Sequence, residues 1–116
     1  MRHKNKVVKF SRPAAQRKAL VRSLATSLVL HGRLKTTLIR AKALRPIVER
    51  YITKAKNNNL ITRRLLMGFF YQEKAVNKLL NEIGPKYKER AGGYTRIIKL
   101  NVRKGDDAPI GIIELI

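Results

Sequence analysis

No carboxylate precedes Glu49 in this chain, and thirteen Lys or Arg residues, from Arg2 to Arg45, lie before it. A stretch with one sign of charge over that length repels itself and has no internal counterions. It settles only where a polyanion lies against it. The remainder of the chain must therefore supply a small folded body that carries the cationic stretch at its surface.

The imbalance extends to the whole molecule, with 27 Lys and Arg against 7 Asp and Glu and a formal net charge of +20. Solubility alone asks for a magnitude of roughly 2–8 in a small domain. The excess points to nucleic acid, with an anionic membrane surface as the weaker option. A membrane binder would gather its charge on one basic amphipathic helix. Here the charge runs through arm, helices and strands, which suits wrapping by RNA. A chain of 116 residues that is 44% hydrophobic allows one modest core, and 6% aromatic residues without Trp make that core aliphatic. Cys is absent, which excludes a disulfide framework and cysteine-based zinc or nucleophile chemistry. No apolar run approaches the roughly 18 residues of a membrane span, and no signal-peptide core is visible.

Residues 1–12 alternate basic, polar and apolar types without a helical stripe and are expected to form a basic arm. Ser11 and Pro13 then have the chemistry of a helix start. Ala15, Ala19 or Leu20, Leu24 and Leu28 recur at helical spacing, and Gly32 offers a left-handed stop after His31. Arg33 to Thr36 reads as a short edge strand. Thr36 or Thr37 caps a second helix with a buried stripe of Leu38, Ala41, Leu44, Val48, Ile52 and Ala55. Pro46 interrupts that helix, giving one kinked helix or, alternatively, two shorter ones. Asn57 to Asn59 form a loop. Leu60 to Tyr71 is expected to be a short buried helix, and Glu73 to Ile83 a fourth that stops at Gly84-Pro85. Beyond Gly92-Gly93 the period changes from helical to alternating. Tyr94 to Arg103, with Ile98, Leu100 and Val102 on one face, and Pro109 to Leu115 read as a hairpin around Lys104–Ala108. Two strands alone are marginal, so the strand near 33–36 is expected to complete the sheet.

The residues for catalysis are sparse. His3 and His31 have no Cys and no nearby acid in sequence, so neither a metal nor a catalytic role is assigned to them. Asp106 and Asp107 are the only adjacent acids and would be the centre of a metal-dependent nuclease, but Gly-Asp-Asp between two strands is ordinary turn chemistry. Gly92-Gly93 lacks the Lys-Ser/Thr of a phosphate-binding loop. Phe10 and Tyr94 have the chemistry to stack on a base, and equally to sit in a core. No cofactor, metal or small-molecule substrate is expected.

Several motifs occur together and in order: Met1-Arg2-His3, Ala-Leu-Val-Arg-Ser-Leu at 19–24, His31, Thr36-Thr37, Ala-Lys-Ala-Leu-Arg at 41–45, Ile-Thr-Lys-Ala-Lys at 52–56 and Arg63-Arg64. Arg-Ala-Gly-Gly-Tyr-Thr-Arg-Ile at 90–97, Gly-Asp-Asp-Ala-Pro at 105–109 and Ile-Glu-Leu at 113–115 follow. In these the chain resembles the bacterial-type family of ribosomal large-subunit proteins number seventeen over nearly its whole length. Gln16, Gly32 and the apolar Val7-Val8-Lys9-Phe10 depart from the usual pattern. The resemblance implies a non-enzymatic protein bound to large-subunit rRNA near the exit of the nascent-peptide tunnel, beside other large-subunit proteins. Its place would be a bacterial ribosome in the cytoplasm, or an organellar one.

The expectation is thus an α+β fold in which about four helices pack on a small three-stranded sheet. Residues 1–12 form an rRNA-binding arm and 13–116 a single globular domain. The expected RNA contacts are Arg2, His3, Lys4, Lys6, Lys9 and Arg12 in the arm, and Arg17, Lys18 and Arg22 on the first helix. Arg33, Lys35, Thr36, Thr37, Arg40, Lys42, Arg45 and Arg96 complete the set. The rival class is a DNA-binding protein of the nucleoid.

Overall fold

The computed structural model describes residues 13–116, so Ser11 and the whole of the predicted arm lie outside the described residues. Helix α1 spans Ala14–His31, with Pro13 ahead of it. It ends where expected, because Gly32 takes φ 78° and returns its N–H to the Leu28 carbonyl. The first half of the predicted stripe is not buried: Ala15 and Ala19 are exposed, and the buried residues of α1 are Ala25, Thr26, Leu28 and Val29. The core is therefore met by the second half of α1, and the first turns stay largely exposed with their cations.

Strand β1 (Arg33–Thr37) leads directly into α2 (Leu38–Ala55), whose first free N–H groups are capped by Thr37: its Oγ1 accepts from Arg40 N at 3.4 Å. The helix is continuous through Pro46. Five of the six expected stripe residues, from Ala41 to Ala55, are buried, and Leu38 is half-buried. Asn59 caps α3 (Leu60–Met67) by accepting from Thr62 N at 2.9 Å. This helix is shorter and less buried than its composition predicts. Leu66 is in the core, while Leu60, Ile61, Leu65 and Met67 are exposed. Phe69 and Phe70 follow the helix in a turn, and Phe70 reaches the core.

Helix α4 (Glu73–Lys78) continues through one π-helical turn, Leu79–Ile83, into the short α5 (Gly84–Lys86). The inward residues are those expected: Ala75, Val76, Leu79, Leu80 and Ile83. The stop at Gly84-Pro85 does not occur. The wide π turn, closed by the Gly84 N–H on the Leu79 carbonyl, resets the register so that Pro85 falls in the first turn of a new helical segment, where no N–H is needed.

Strands β2 (Thr95–Lys99) and β3 (Ile110–Leu115) form the hairpin, and the sheet order is β1-β3-β2, all antiparallel. The last strand is thus the central one. Its register places Leu34, Ile113 and Ile97 side by side on the face that meets the helices, and Arg33, Glu114 and Arg96 together on the other. Strand β2 is shorter than the predicted 94–103, and its expected apolar face is the outer one: Ile98, Leu100 and Val102 are exposed. Thr95 and Ile97 face inward instead, because pairing with Leu115 and Ile113 fixes the phase. The core joins Leu28 and Val29 of α1, Leu44, Val48 and Ile52 of α2, Val76 and Leu79, and Ile113. Tyr94 belongs to it too. It is 1% exposed, and its hydroxyl lies 3.0 Å from that of Thr53.

Asp106 holds the hairpin turn. Arg103 donates to its two oxygens at 3.1 and 2.5 Å, and the Ala108 N–H donates at 3.3 Å. The guanidinium and the backbone N–H favour the carboxylate and hold it at about 2, below the usual carboxylate range. Its folded value is depressed, so this contribution is complete above the unfolded value of ~3.9 and is lost as pH falls through about 2. Carboxyl-carbon NMR should find the Asp106 midpoint near 2, and Arg103→Gln should return it toward ~3.9. An unmoved midpoint would show that Arg103 does not hold this group.

Candidate nucleic-acid interface

Positions 17, 18, 21 and 22 lie on one face of α1, since residues three and four apart share a helical face. Positions 42, 46 and 50 run down one line of α2 for the same reason. These two faces and the side of α3 enclose a groove of about 1030 Å³. Its cations are Arg17, Lys18, Arg22, Lys42, Arg50 and Arg64, and no carboxylate lines it. Between them lie Val21, Ala43, Pro46, Ile47, Tyr51, Leu65, Gly68 and Phe69. The groove is therefore cationic at its edges and apolar inside.

The cations differ in how they are held. Arg22 donates to the carbonyls of Phe69 at 2.7 Å and Gly68 at 2.9 Å, and its guanidinium lies 4.8 Å from the Tyr71 ring centroid. It clamps the end of α3 to α1. Arg17, Lys18, Lys42, Arg50 and Arg64 have no ion pair or side-chain hydrogen bond among the described residues. Five like charges with no acid between them raise a concentrated positive potential over a concave surface.

The predicted contacts divide into separate groups. Arg17, Lys18, Arg22 and Lys42 come together at the groove. Arg33, Lys35 and Arg96 stand on the outer face of the sheet, away from it, where Arg96 and Arg33 share Glu114 at 2.6 and 3.7 Å. Thr36, Thr37 and Arg40 lie at the β1–α2 junction, where Thr37 serves as the cap. Arg45 is turned toward the body: it lies 3.7 Å from Glu49 and donates to the Thr95 carbonyl at 3.3 Å. Arg2, His3, Lys4, Lys6, Lys9 and Arg12 lie outside the described residues. Two groove cations, Arg50 and Arg64, escaped the sequence reading. Arg50 was legible, being two turns beyond Lys42 on a helix whose apolar stripe was already assigned. Arg64 depends on how α3 docks, which no local pattern carries.

Glu49 explains the orientation of Arg45. Its Oε2 accepts from Thr95 N at 3.1 Å and Thr95 Oγ1 at 2.9 Å, tying α2 to the start of β2. Thr95 is 1% exposed, so removing the acceptor strands a buried N–H. Glu49→Ala should cost about 2 kcal/mol in urea unfolding. A cost near zero would mean that water replaces the carboxylate.

Among the described residues, no three His, Asp or Glu side chains come together as a metal site, and no helix is long and apolar enough to cross a membrane. The groove and the cationic faces are the features a partner would read. The chain is similar to "Large ribosomal subunit protein bL17" of Rickettsia bellii (strain OSU 85-389), at 48% identity over 116 residues that cover all of this chain and 82% of that relative. The sequence profile of ribosomal protein L17 matches residues 20–116, the body from the second turn of α1 to the end of β3. On both grounds this chain belongs to the ribosomal protein L17 family.

Proposed function

We propose that this chain is a structural constituent of the large ribosomal subunit that binds large-subunit rRNA by neutralising its phosphates. The observation that carries this is the groove of six cations with no carboxylate in its lining, in a member of the L17 family. Each Lys or Arg that meets a phosphate releases condensed counterions, and the Arg forks add bidentate contacts. Residues 1–12 act as a separate rRNA-binding arm, with Arg2, His3, Lys4, Lys6, Lys9 and Arg12 as its contacts, beside the body of 13–116. Arg17, Lys18 and Lys42 contact phosphate in the groove. Arg33, Lys35, Arg40 and Arg96 form a second surface, aided by the Thr36 and Thr37 hydroxyls, while Arg22 and Arg45 act mainly by holding the body together. Membership of the family supports a position near the exit of the nascent-peptide tunnel, next to other large-subunit proteins, as part of the same proposal. No reaction, cofactor or membrane enters this reading.

Sedimentation of a cell lysate tests it. The protein should travel with the large subunit and be released only by strong salt. A protein found at the top of the gradient, or one that grips duplex DNA and structured rRNA fragments equally at moderate salt, would favour a nucleoid role. The arm has its own test. Arg2→Ala together with Lys4→Ala should lower the slope of log K against log salt by about 2. An unchanged slope would mean that these side chains do not reach phosphate.

A further inference from the structure

We propose that the groove between α1, α2 and α3 receives an unpaired, unstacked RNA nucleotide, with its base on the apolar floor and its flanking phosphates on the cationic rim. This rests on the RNA-binding reading above and narrows it from RNA in general to an extruded base.

Phosphate neutralisation needs only cations on a surface. It gives no reason for a concave aliphatic lining of Val21, Pro46, Ile47 and Leu65 between them. Such a lining gains when an apolar, flat group displaces water from it. A volume of about 1030 Å³ is at the upper end of pockets that enclose a drug-sized ligand, ~300–1,000 Å³, and so has room for a nucleotide. An A-form duplex is convex and turns its bases inward, so it can touch the rim but cannot fill the floor. RNA bases that proteins read are those splayed from loops and bulges. The charge is complementary to such a nucleotide: the rim is cationic throughout, and a bulge draws the phosphates on either side of it close together.

The base would not stack on the aromatic rings. Tyr51 and Phe69 already stack on each other at 4.3 Å between centroids, and the Lys54 ammonium lies 5.5 Å from the Tyr51 centroid. The surfaces left for it are the aliphatic floor and the guanidinium planes of Arg17, Arg50 and Arg64, which can both stack and bind phosphate. The outer face of the sheet lacks this arrangement: its apolar residues and cations lie on an open surface.

The full-length chain should be titrated with three RNA hairpins: a fully paired stem, the same stem with one bulged 2-aminopurine, and that bulge made abasic. The bulged RNA should bind about tenfold tighter than the paired stem, on the scale of one stacked base, with a change in 2-aminopurine fluorescence. The abasic RNA should fall back to the paired level. Ile47→Ala should shrink the bulged-to-paired ratio, whereas Lys42→Gln should lower the three affinities together. Equal binding of bulged and abasic RNA, still weakened by salt, would overturn the base site while phosphate binding stands. Failure to bind any of the three at moderate salt would overturn the RNA reading as well and leave the groove to a protein partner.

Discussion

Gly84→Ala should destabilise the protein by about 3 kcal/mol, the upper range for forcing a methyl into a packed interior. The backbone angles are not the reason, since φ −55° and ψ −55° suit any residue. The reason is space. An added Cβ would lie 2.6 Å from the Ala55 carbonyl oxygen, 3.1 Å from the Ala55 carbonyl carbon and 3.0 Å from the Leu79 oxygen. All three are backbone atoms, so no side chain can swing aside. Relief requires moving the end of α2 off the π turn, which opens the contact among Ala55, Leu79 and Ile83 in the core. Thermal unfolding should show a fall of roughly 10 °C for a chain of this length. Gly68→Ala provides the control. Its Cβ would stand 3.5 and 3.6 Å from the Leu65 and Arg64 oxygens, ordinary contact, and its φ is −72°. That variant should be neutral or gain about 0.4–1 kcal/mol from the stiffer unfolded chain. If both variants behave alike, the close approach of α2 and the π turn is not what requires glycine at 84.

These two glycines mark where the sequence stops being informative. Helix ends were readable wherever a local group sets them: Gly32 after α1, Thr37 before α2 and Asn59 before α3 all act through atoms within four residues. The α2 stripe was readable because Ala41 to Ala55 keep one period and one neighbouring body. Three features were not readable, each because a distant segment decides it. Gly84-Pro85 has the local signature of a stop, yet the π turn and the contact with Ala55 carry the helix past it. Ile98 and Leu100 alternate as a core-facing strand would. The pairing of Thr95 with Leu115 and Ile97 with Ile113 nevertheless turns the opposite face inward. In α3, composition promised burial, but only Leu66 and Thr62 meet the body, leaving Leu65 and Arg64 to wall the groove. The cationic character of the surface was legible from charge alone. Its division into a groove, a sheet face and an Arg45 tied to Glu49 and Thr95 was not, because that depends on tertiary docking.

The same division predicts which charges matter most. Lys42→Gln, Arg50→Gln and Arg64→Gln together should weaken binding to structured rRNA fragments by about 100- to 500-fold near 0.1 M salt. The figure follows from a slope of ~0.7 to 0.9 per phosphate contact and three contacts over about one decade of salt. The slope of log K against log salt should fall by about 2 to 3. Stability should change little, because these side chains have no ion pair or side-chain hydrogen bond among the described residues, and Lys42, Arg50 and Arg64 are all exposed. Removing three like charges from one concavity even relieves some self-repulsion. Arg45→Gln is the contrasting variant. It loses the Glu49 pair and the bond to the Thr95 carbonyl, so it should cost stability while leaving the salt slope nearly unchanged. If the groove triple left the slope intact and Arg45→Gln lowered it, the phosphates would lie along the β2 side of α2, and the groove would have to be assigned to something other than RNA.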